Sequence, residues 1–284
     1  GDVPLAEAVA RLLKRALRSR SVAASPCAQR VSLVVRSGAP LLVQLIAGMA
    51  CALAGLPASG AESLLPYRDR IEQGYNARDN QVIEATIADL KKAGISADQE
   101  DLATDYTAFA RLRQSAIPGT DKRRARDYLE QCIDELEPLL EQRSDYAQAR
   151  ALYASCLGAS SNYYVLRAAT RGLAAGREMT AALKLAPENP WVVFQDAVSD
   201  FLTPAIFGGS RSRALDKLKH AEQLFVASRP AGSAEPAFGE AETWLYIGRV
   251  YLADGDKDKA RQALEKSRTL APESADVRDE LAKL

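Results

Sequence analysis

Apolar residues recur at helical spacing through most of the chain, most sharply near its end. Trp244, Ile247, Gly248 and Tyr251 stand at i, i+3, i+4 and i+7, on one face of a helix. Asp254-Gly255-Asp256 then supplies a glycine to stop that helix and an aspartate to cap the next. Ala260 and Leu264 carry the apolar face through this second helix until Pro272 ends it. The second helix has copies upstream: Ala214, Leu218 and Ala221; Ala175, Met179 and Ala182 before Pro187; and Ala125, Leu129 and Cys132. Farther back Ile83, Ile87 and Leu90 share a face, so residues 62–112 also read as helices, but no full repeat can be placed there. Alanine and leucine dominate and β-branched runs are short, so the pattern predicts an all-α protein of consecutive helix pairs.

The terminal segment resembles a tetratricopeptide repeat, a helix-turn-helix unit of about 34 residues. With Ala241 as its first position, Trp244 stands fourth, Ile247 seventh, Gly248 eighth, Tyr251 eleventh, Ala260 twentieth, Leu264 twenty-fourth and Pro272 thirty-second. Ser267 departs from the pattern, which prefers alanine there. The resemblance implies helix-turn-helix repeats stacked as a right-handed α-solenoid over residues 62–284, clearest at 241–274, because a lone pair cannot bury both its faces. In such stacks the first helices line the inner surface at positions two, five, nine and twelve. These fall on Trp191, Phe194, Val198 and Phe201 in one repeat, and on Glu242, Leu245, Arg249 and Leu252 in the next. A groove so lined would take an apolar or amphipathic peptide, with Arg249 meeting an acidic group. The clamp by which chaperone-binding members hold a terminal carboxylate needs Lys and Asn at positions five and nine, and neither repeat has both.

Between Trp191 and Ala214 the turn is about five residues longer than the ideal repeat allows. It reads FLTPAIFGGS over residues 201–210. Gly209-Ser210 aligns with Gly255-Asp256, four residues before the packing alanine, and Asp121 stands likewise before Ala125. Ser210, Asp256 and Asp121 are therefore expected N-caps. The remainder is an insertion in which Pro204, Phe207, Gly208 and Gly209 are candidate binding residues, unless it folds back to cover the aromatics as core. Together with Asn189-Pro190 before Trp191, the insertion resembles a group of exported bacterial repeat proteins, some associated with TRAP-type solute transporters. That likeness spans residues 145–275 and implies an interaction or ligand-handling protein.

The first sixty residues have a different character. Arg36 precedes an apolar run at 41–56, LLVQLIAGMACALAGL, followed by small residues at Ser59 and Ala61. These are the parts of a secretory signal peptide over 35–61, with cleavage expected after Ala61. A membrane span would need about 20 apolar residues, and this run is shorter and broken by Gly48 and Gly55. Residues 1–34 are expected to be an upstream or non-native leader, with an organelle transit peptide as the alternative. After Ala61 only Cys132 and Cys156 remain, a candidate disulfide in an oxidising compartment or two small buried residues in packing slots.

Charge and chemistry narrow the function. Lys and Arg number 37 and Asp and Glu 37, which leaves no basic footprint for nucleic acid. The glycines at 208–209 precede Ser-Arg between helices, not the Gly-Lys-Ser/Thr of a phosphate loop after a strand. His220, the single histidine, falls beside the packing residue Ala221 on a polar-sided helix. Acid pairs such as Asp134/Glu135 and Asp279/Glu280 point apart on a helix. The expectation is a non-enzymatic scaffold without cofactor or metal, periplasmic or secreted, with no membrane insertion of the mature chain and free to oligomerise. It would bind a protein or peptide partner in its concave groove. The alternative is a transporter-associated small-molecule binder, its pocket walled by Trp191, Phe194, Phe207, Tyr163 and Tyr164.

Overall fold

The computed structural model describes residues 63–164, 166–229 and 239–284. The expected leader, signal peptide and cleavage point lie outside the described residues. Among those residues all regular structure is helical: α1 (Leu65–Ala77), α2 (Asn80–Lys92), α3 (Glu100–Ala116), α4 (Lys122–Gln142), α5 (Ala147–Ser161), α6 (Ala168–Leu185), α7 (Pro190–Leu202), α8 (Arg211–Ala227), α9 (Glu240–Ala253), α10 (Lys257–Leu270) and α11 (Ala275–Leu281). A short 3-10 turn, Ala205–Phe207, interrupts the link from α7 to α8. The helices pack in pairs in chain order, α1 with α2 through α9 with α10.

The local signals act as the pattern anticipates. Asp121, Ser210 and Asp256 each accept from a backbone N–H of the following first turn. Gly248 is required by close approach: a Cβ there would stand 2.6 Å from Cγ of Leu264. Ser267 keeps the alanine slot because its buried hydroxyl donates to the carbonyl of Ala241 at 2.7 Å. The pair α1–α2 repeats the same construction. Gly74, where a Cβ would meet Ile83 at 2.7 Å, precedes buried Thr86 and Leu90 by the spacing that separates Gly248 from Ala260 and Leu264. Thr86 fills a small-residue slot by donating its hydroxyl to Val82 O at 2.7 Å.

The first helices α1, α3, α5, α7, α9 and α11 touch one another in succession, and α11 also touches α1. The stack therefore closes on itself. Cys132 of α4 and Cys156 of α5, both fully buried, are joined by a disulfide with Cα atoms 6.3 Å apart. It ties the second helix of one pair to the first helix of the next.

Candidate functional site

The inner positions of α7 and α9 meet side chains from across the closed stack. Trp191, 8 % exposed, stacks on Phe194 at 5.3 Å and meets Phe109 of α3 and Phe225 of α8 edge-on. Phe194, 2 % exposed, and half-buried Phe201 both set their rings edge-on to Tyr246 of α9. Val198 packs half-buried against the same core. Leu245 is buried with Val277 of α11, and Leu252 packs beside them. Arg249 meets acidic groups, but they are the chain's own: Asp276 and Glu280 of α11, each at 2.9 Å. The face expected to be an open groove is thus filled, because closure brings α3 and α11 over it. The insertion, the other expected cover, does not supply it.

Closure also assembles a buried ionic network. Arg113 of α3 donates to both carboxylate oxygens of Glu242 (2.7 and 2.5 Å) and to Glu72 of α1 (2.7 Å), with its guanidinium over the ring of Tyr75. Burial opposes its charge, but Glu242 and Glu72 hold the guanidinium firmly protonated. For Glu72 burial prevails over Arg113 and raises its carboxyl above the usual range. Asp276 accepts from Tyr75, Arg78 and Arg249. Burial would raise its pKa, but together Arg78, Arg249 and Tyr75 hold it below the ordinary value. Beside this network lies a cleft of about 60 Å³ lined by Glu72, Tyr75, Gly239, Glu242, Leu245 and Val277. It has room for water, not for an organic ligand.

The insertion turns outward. Ile206 is 85 % exposed, Phe207 75 % and Leu202, at the end of α7, 64 %. The loop that carries them is fastened tightly. Phe207 N–H donates to Pro204 O, Gly208 N–H to Ala205 O, and Ser210 N–H back to Asp200 O of α7. Arg213 grips both oxygens of Asp200 and donates to Gly208 O, while Lys217 bridges Asp196 and Asp200. Gly208 holds φ +95°, and a Cβ on Gly209 would stand 1.8 Å from Thr203 O. The glycine pair is therefore used to close a tight loop, and Arg213 at its base is engaged by Asp200.

The pocket imagined for a small molecule is not brought together: Phe207 points to solvent, Trp191 and Phe194 are packed, and Tyr164 lies over Arg171 at 4.4 Å. Residues that sequence reasoning missed are Glu72, Tyr75, Arg78 and Arg113. Gly74, twelve residues before Thr86, was the available signal for their helix pair. No helix among the described residues is long and apolar enough to cross a membrane.

Comparison with known proteins agrees with this architecture. Residues 241–284 match the tetratricopeptide repeat family model. TTC0263, a thermophilic TPR protein of Thermus thermophilus, has a similar crystal structure, with a TM-score of 0.52 at 16 % identity over 76 % of this chain and 97 % of that one. No curated protein matches the chain. Repeats of this kind generally mediate protein–protein contacts and are typically non-catalytic. The C-terminal segment is similar to a tetratricopeptide repeat, and the described helices together have a TPR-like all-α fold.

Proposed function

We propose that the chain is an exported helical-repeat scaffold that binds a protein or peptide partner, and that the partner engages the insertion between α7 and α8. One observation carries this reading. Leu202, Ile206 and Phe207, each mostly exposed, lie within six residues of one another at a loop fixed by Arg213 and Asp200, an outward concentration of apolar side chains of the kind that marks interaction sites. A preorganised loop loses little entropy on docking, so its exposed area translates into affinity more fully than that of a flexible loop. The charges around these side chains are paired within the chain, Arg213 and Lys217 with Asp200 and Arg211 with Asp254. Recognition would accordingly rest on apolar insertion into a partner's pocket. The buried Cys132–Cys156 bridge supports export, since such bonds persist in oxidising compartments.

The test is quantitative capture from a periplasmic extract by the wild-type chain, by Ile206→Ser/Phe207→Ser, and by Leu173→Ser, which alters an exposed leucine elsewhere. Partners lost only with the double variant are expected. If every recovered partner survives it, the insertion is not the contact.

A further inference from the structure

The junction that closes the stack differs from those that build it. Successive pairs share apolar cores, but the contacts joining α1 to α11 are polar. Tyr75 Oη donates to Asp276 at 3.2 Å, and Arg78, at the end of α1, reaches Asp276 at 3.0 Å and Asp279 at 2.5 Å. The apolar residue of α11, Val277, is buried with Leu245 and Leu264, in a cluster separate from the one that holds Ile71 of α1. The small cleft lined by Glu72, Tyr75 and Val277 runs along the same junction, so packing there is incomplete. Arg78 caps the C-terminus of α1 in the left-handed conformation, φ 58°, its N–H donating back to Tyr75 O at 2.9 Å, and this turn directs its side chain to the two aspartates of α11.

We propose that the α1–α11 junction is a latch: it opens on loss of its ion pairs while the helix pairs remain folded, exposing Tyr75, Tyr246 and Arg249 on the inner face. This inference is independent of the scaffold reading, because no partner enters it. The core of each pair is apolar and insensitive to salt, whereas Arg78 with Asp279 lies near the surface, where added ions screen it. Arg113 stays with α3, and its pairs to Glu72 and Glu242 limit how far α1 can swing.

Hydroxyl-radical footprinting read residue by residue on the full chain tests the latch, with Trp191 of α7, buried against Phe109 of α3 and Phe225 of α8, as the internal reference. In about 1 M salt, where the screening length is about 3 Å, modification of Tyr75 and Tyr246 is expected to rise roughly threefold relative to Trp191, with helicity unchanged. Arg78→Asn, which removes the guanidinium but suits the left-handed backbone, is expected to give the same rise at low salt. Unchanged Tyr75 and Tyr246 under both conditions overturns the latch. So does a rise that Trp191 shares, since that reports general loosening of the fold.

Discussion

Asp105 of α3 offers the sharpest quantitative test of the structure. Its Oδ1 is shut off from solvent with no hydrogen-bond partner, although the residue as a whole keeps part of its surface. Burial alone raises its carboxyl from the usual 3.8 to about 7. The folded state then holds the proton more tightly than the unfolded chain. Any stability linked to this group is complete below about pH 4, declines as pH rises, and is lost above about 7. A shift of that size corresponds at most to about 4 kcal/mol. The partial exposure of the residue reduces this, and about 2 kcal/mol is a fairer expectation. Asp105→Asn cannot ionise, so its stability lacks this slope, although an unpaired amide costs about 1–3 kcal/mol at every pH. Urea denaturation of both chains at pH 5, 6, 7 and 8 should show the variant gaining about 1 kcal/mol on the wild type between the extremes, the part of the effect that falls above pH 5. Taking the difference cancels the titration of all other groups. Parallel profiles would refute the burial assigned to Asp105.

Further substitutions probe the packing. Gly248→Ala gains helix propensity of about 1 kcal/mol but drives a methyl into Leu264, for a net loss of about 1 kcal/mol, whereas Gly172→Ala and Gly176→Ala, which face open space, should each stabilise by about 0.5–1 kcal/mol in thermal melts. Reducing the Cys132–Cys156 bridge should lower unfolding free energy by about 3 kcal/mol, read as a shift in urea midpoint with and without reductant. Gly209→Ala cannot keep the loop closed against Thr203, so limited proteolysis should cut within residues 203–209 faster while far-UV circular dichroism stays unchanged.

The repeat was legible because its determinants are local. Gly248, Ala260, Leu264 and the caps Asp121, Ser210 and Asp256 act within one helix pair, and spacing alone reveals them. The pair α1–α2 was obscured because Thr86 stands where an alanine is expected and Arg70 where a tryptophan would be. Closure was not legible. Arg113 and Glu242 lie 129 positions apart, and only the accumulated rotation of the stack brings them within 2.5 Å. The inner positions were identified by an extended solenoid in which they would face open space, so Trp191 and Arg249 were expected to be available when their partners are Phe109, Asp276 and Glu280. The insertion's apolar run was compatible with exposure for binding and with burial over the aromatics. Its outward course follows from Pro204, Gly208 and the grip of Arg213, which only the folded loop displays.

The position of the disulfide also governs how the molecule bears tension. Cys132 and Cys156 enclose a segment with a sequence separation of 24, across the boundary between two helix pairs. A pull on the two ends passes through the sulfur bridge and bypasses that segment, withholding roughly 80 Å of extension at full stretch. Pairs on either side can peel away one at a time, while α4 and α5 stay tethered at their contact. Under load the oxidised chain should therefore yield from its ends toward a central knot of fixed length, which disappears when the bridge is reduced.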